Sequence, residues 1–90
     1  MSHRVTDSQR ALLRRMIFHE TFSELIRETG MNTGVVRDDL LTLLHKGYVE
    51  VYLDGGHVSE PVRQMAYDSD HLNLYLFRAS HAGLRQIQNR

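Results

Sequence analysis

The chain of ninety residues contains no cysteine and no tryptophan, one proline and one lysine. Without cysteine there is neither a disulfide framework nor a thiolate metal site, so stability has to come from an apolar core. A chain of this length buries roughly three-fifths of its unfolded surface, enough for one core but not two. No apolar run comes near the roughly 20 residues of a membrane span. The opening MSHRVTDSQR lacks the apolar stretch of a signal peptide. These absences point to a soluble, cytoplasmic protein. Net charge is absent too: eleven Arg and Lys balance eleven Asp and Glu, unlike the basic composition of most nucleic-acid binders.

The charges that are present are unevenly placed. Residues 1–19 carry four Arg against Asp7, and residues 61–90 carry four Arg against two Asp. Between them, residues 20–60 carry three positive and eight negative side chains. The middle is acidic and the ends are mildly basic. Ten of the eleven cations are Arg, the residue suited to forked recognition of phosphate and guanine, although codon bias produces the same count.

Apolar spacing predicts a first helix over 7–18, DSQRALLRRMIF, with Thr6 or Asp7 as its cap. Leu12, Leu13, Met16 and Ile17 turn inward, and Arg10 and Arg14 outward. A second helix is expected over 22–29, capped by Thr21, with Glu24 completing a capping box, Phe22, Leu25 and Ile26 inward, and Gly30 stopping it. The third runs over 33–46 from Asn32, with Val36, Leu40 and Leu43 stacked on one side and Leu44 beside them, and it ends at Gly47. YVEVYL at 48–53 alternates as a strand with Val49, Val51 and Leu53 inward. DGG breaks it, residues 57–71 read as a loop, and LNLYLF at 72–77 as the returning strand. Ser80 caps a final helix that turns Leu84 and Ile87 inward. A minimal strand at 19–21 completes a three-stranded sheet.

Two short helices joined at a glycine turn, a third ending in glycine and then a hairpin follow the layout of a winged helix-turn-helix. The segment ELIRETGMNTGVVRDDLLTLLHKGYVEV resembles the consensus of that superfamily, with Leu25, Gly30, Met31, Val36, Leu40, Leu43, Gly47 and Val49 at matching positions. RASHAGLRQI is similar to the ending of the multiple-antibiotic-resistance type of bacterial regulator, with Ala79, Ser80 and Gly83 in place of its Leu, Thr and Gly. The resemblance implies an α+β fold spanning residues 1–90 as a single winged-helix domain: a three-helix core, a β-wing of two or three strands and a short C-terminal helix. The helix-turn-helix occupies about 22–46 and the wing about 48–78. It also implies double-stranded DNA as partner and transcriptional regulation as function.

On that reading Arg37 forks onto guanine from the third helix, while Asn32 and Thr33 hold a phosphate at its N-terminus. Asp38 accepts from cytosine, Lys46 stands at the far end, and Arg63 and Gln64 reach from the wing. Asp38 and Asp39 count against it, because carboxylates repel phosphates; as a pair they read as solvated surface acids. The competing reading is a protein-docking module in which Arg37, Asp38, Leu41 and His45 meet a partner. A positive patch around Arg37, Lys46 and Arg63 separates the two. A homodimer through the first and last helices would be small.

Six histidines include His57 and His71 on the loop with Asp68 and Asp70, but none shows the helical i, i+4 spacing that marks a metal site. Phosphate loops, nucleophile elbows and a thiol are all missing, and Ser23 and Ser80 read as helix-end residues. No cofactor and no enzymatic activity are expected.

Overall fold

The computed structural model describes residues 4–53 and 67–88. They form α1 (Asp7–Arg15), β1 (Glu20–Thr21), α2 (Phe22–Thr29), α3 (Thr33–His45), β2 (Val49–Leu53), a 3-10 turn (Leu72–Leu74), β3 (Tyr75–Ala79) and α4 (His81–Gln88). A helical core, a β-wing and a short C-terminal helix result, an architecture consistent with the broad winged-helix superfamily. The strands lie in the order β1-β3-β2, antiparallel throughout. Phe77 of β3 stands opposite Glu20 on one side and Val51 on the other.

The helix starts follow from local chemistry. Thr6 accepts from the Gln9 amide, while the Gln9 side chain accepts in return from the Thr6 amide at 3.0 Å. Thr21 and Glu24 repeat this reciprocal box on α2, the Thr21 amide donating to Glu24 at 2.8 Å. Each box satisfies amides that have no partner inside the helix. At the other ends, Gly30 (φ 69°) and Gly47 (φ 77°) take the left-handed conformation penalised in residues with a side chain. Gly30 turns α2 into α3, and Gly47 turns α3 into the wing.

Leu12, Leu13, Met16, Leu25, Val36, Leu40, Leu43, Leu44, Val49, Val51 and Phe77 are buried together. Ile26, Met31, Leu84 and Ile87 pack half-buried against them. Full burial of each large side chain contributes roughly 1.5–3 kcal/mol relative to exposure, before ordering costs.

Three elements differ from expectation. The first helix ends at Arg15, because Met16 leaves helical geometry (φ −111°, ψ 29°) and its carbonyl accepts from the Ala79 amide at 2.7 Å. That bond commits the chain to the sheet, and it leaves Ile17 exposed instead of inward. The returning strand spans 75–79 and not 72–77: Leu72–Leu74 coil as a 3-10 turn with Leu72 buried beneath. In β2 the alternation fails at its end, with Tyr52 buried and Leu53 exposed. The His19 ring meets Tyr52 edge-on at a centroid distance of 4.6 Å and covers it on the outer face of the sheet.

Candidate recognition surface

Helix α3 is anchored by one side and presents the other. Val36, Leu40, Leu43 and Leu44 are buried, while Asn32, Thr33, Gly34, Val35 and Asp38 are exposed. The Asn32 side chain accepts from the Gly34 amide at 2.8 Å, fixing the first turn. Thr33 thus stands at an accessible helix N-terminus, and Val35 is 43% exposed beside it. At the opposite end His45 and Lys46 are exposed. Lys46 lies nine residues from Arg37, roughly 13 Å along the axis at 1.5 Å per residue.

Arg37 is half-buried and already engaged. Its guanidinium lies 3.8 Å from a carboxylate oxygen of Asp38, 3.8 Å from one of Asp70, and 3.5 Å from the Ser69 carbonyl oxygen. The segment that brings Asp70 there is braced by its own bonds. The Asp68 amide donates to the Tyr75 hydroxyl at 2.7 Å and the Asp70 amide to the Asp68 carboxylate at 3.0 Å, while His71 Nδ1 lies 2.7 Å from the other Asp68 oxygen. The His71 hydrogen bond, and then the Asp70 amide, hold the Asp68 carboxyl below the usual carboxylate range. Between this turn and α3 lies a cleft of about 210 Å³ lined by Phe22, Arg37, Ser69, Asp70, Leu72 and Asn73.

Exposed ion pairs at such distances contribute about 0–1 kcal/mol to stability. Their weight lies elsewhere. The one cation in the middle of the α3 face is flanked by two carboxylates, so a phosphate approaching Arg37 also approaches Asp38 and Asp70. Of the three cations expected to form a positive patch, Arg63 lies outside the described residues and Arg37 is flanked by Asp38 and Asp70.

The remaining expected residues separate. Asp39 is no solvated acid: its carboxylate accepts from the Ser8 hydroxyl at 2.5 Å, tying α3 to α1. Leu41 does not project freely either; it is half-buried and packs against the core, because α3 meets its neighbours over a wider arc than one stripe. Arg63 and Gln64 of the wing lie outside the described residues, as does His57. Among the described residues, no group of three His, Cys, Asp or Glu is placed to hold a metal, and no helix is long and apolar enough to cross a membrane. Ser80 sits where a helix-end residue belongs, its hydroxyl donating to the Gly47 carbonyl at 2.6 Å and accepting from the Gly83 amide at 3.1 Å.

Compared with protein-family models, curated proteins and solved structures, the chain matches none. Its likeness to winged helices therefore rests on architecture and on the residues that build it.

Ser69, Asp70 and Phe22 were not among the site residues expected from sequence. Phe22 was legible only as part of a core stripe. The Asp68-Ser69-Asp70 run carries the signature of a side-chain-closed turn, but nothing local says that this turn faces α3.

Proposed function

We propose that the protein is a winged-helix docking module whose α3 face, Thr33, Val35, Arg37, Asp38 and His45 together with Asp70, meets a protein partner bearing basic and apolar side chains. The observation that supports this reading is the flanking of Arg37 by the carboxylates of Asp38 and Asp70. A duplex reader gains affinity by releasing counterions from phosphates it neutralises, and each carboxylate at the contact subtracts from that gain. A basic partner meets the opposite situation: Asp38 and Asp70 are mostly exposed and ready to pair, and Val35 and the Phe22–Leu72 cleft offer apolar area.

Sequence-specific binding of double-stranded DNA by a small transcriptional regulator is the second reading. The accessible first turn of α3 favours it, where Asn32 and Thr33 offer a phosphate site ahead of Arg37. Lys46, Arg63 and Gln64 would add backbone contacts, and Arg37→Ala would lose about 1–3 kcal/mol of discrimination at one base pair. The similarity of residues 79–83 to the multiple-antibiotic-resistance type of regulator belongs with this reading.

Amide chemical shifts separate the two. Titration with a short amphipathic peptide rich in Lys and Leu should move the resonances of Val35, Arg37, Asp38 and Asp70, and Asp38→Asn with Asp70→Asn should weaken that response. Titration with a mixed-sequence DNA duplex at low salt should leave them in place. Saturable shifts at Thr33 to Arg37 with duplex and none with peptide would reverse the assignment.

A further inference from the structure

Two large apolar side chains stand in solvent at one place, Ile17 at 47% and Phe18 at 77% exposure. They follow the end of α1 and precede β1, the edge strand of the sheet, whose only neighbour among the described residues is β3. The Thr21 amide of this two-residue strand is already donated to Glu24, so a contact here is made by side chains. On one side of the apolar pair, Arg14 and Arg15 are exposed in the last turn of α1. Neither forms an ion pair among the described residues.

On the other side stand Glu20, Glu24 and Glu28. The Glu20 carboxyl is raised above its ordinary value, first by burial and then by the charges of Glu28 and Glu24, with Arg27 opposing more weakly. Three acids thus share one field with Arg27 beside them. In chain order the side chains run from exposed cation (Arg14, Arg15) through the exposed apolar pair (Ile17, Phe18) to anion (Glu20, with Glu24 and Glu28 in its field).

We propose that this strip is a self-association surface on which a second copy of the chain docks about a two-fold axis. Ile17 and Phe18 of each copy pack on those of the other, and Arg14 and Arg15 of each face Glu20 and Glu28 of the other. Charge order selects a second copy as the occupant. A two-fold interface brings the same strip against itself reversed, and this strip, reversed, sets each charge opposite its counter-charge and apolar on apolar. The contact differs from a pairing of first and last helices, in that α4 takes no part. It involves far fewer side chains than the roughly 20–30 residues a side of a standard interface. Association is therefore weak, concentration-dependent and weakened by salt. Nothing in it rests on the partner assigned to α3.

Sedimentation equilibrium from micromolar to millimolar protein tests the proposal. The mass of the wild type should climb from one chain toward two, and less so at high salt. Phe18→Ser should weaken association about tenfold or more, the loss expected for an aromatic anchor. Arg14→Glu with Arg15→Glu, and Glu20→Lys with Glu28→Lys, should each stay monomeric alone, and their equimolar mixture should associate again. Circular dichroism first establishes that each variant folds; if Phe18→Ser does not, the charge-reversed pair decides alone. A wild type monomeric at millimolar concentration, unchanged association by folded Phe18→Ser, or a mixture no heavier than its components would overturn it.

Discussion

Gly83 shows how tightly one residue constrains the packing. A Cβ built there would lie 2.0 Å from the Tyr48 carbonyl oxygen and 3.2 Å from Leu13. The Tyr48 carbonyl also accepts from the Ser80 amide at 2.9 Å, so neither side of the contact has slack. Gly83→Ala has to separate α4 from the turn at Gly47, and it should cost about 1–3 kcal/mol, the usual range for overpacking. A thermal melt of the variant reads the loss; an unchanged melting temperature would mean that α4 sits farther out. Acid acts at the same scale. Glu24 is held below its ordinary value by the Thr21 amide and then the Thr21 hydroxyl, and Asp68 by His71 and then the Asp70 amide. Both are favoured as anions in the fold, so their contributions are complete above the ordinary carboxylate values and lost as pH falls through the lowered ones. Glu20, raised by burial, acts in the opposite sense and softens the loss. Melting temperature should fall on acidification below about pH 4, and Glu24→Gln should flatten that fall. Identical acid limbs in wild type and variant would remove the capping box as a source of acid sensitivity.

Elements were legible where their cause is local. The spacing of Val36, Leu40 and Leu43, with Asn32 before and Gly47 after, was enough to place α3 and its inward side. Leu40→Ala should accordingly cost about 2–5 kcal/mol, as large-to-small core changes do; a melt without loss would take α3 out of the core. The end of α1 was not legible. Arg14 to Ile17 continues helical spacing without a break, and what stops the helix is the bond from the Ala79 amide to the Met16 carbonyl, made by a strand distant in sequence. Asp39 misled for the same reason, since its Ser8 partner is on another helix. Leu41 lay on the apparent outer face of a helical wheel, but a wheel carries no account of how wide a buried arc the neighbours impose. At the surface, Thr33, Arg37 and Asp38 were identifiable from position in the helix. Asp70 and Ser69 were not, because their role arises only when the turn before β3 folds over α3.

For the molecule as a whole, an even charge balance conceals an uneven surface. Basic side chains gather on α1, while the one central cation of the α3 face is flanked by Asp38 and Asp70. A helix-turn-helix scaffold serves docking as well as DNA binding, so the proposed partner rests on the chemistry of that surface and not on the fold. The most direct measurement is fluorescence anisotropy of a labelled DNA duplex with wild type and with Asp38→Asn plus Asp70→Asn, across a salt series starting low. The account predicts no measurable binding by wild type at any salt, and weak, steeply salt-dependent binding once both carboxylates are neutral. Saturable wild-type binding at low salt, unchanged in the double variant, would contradict it.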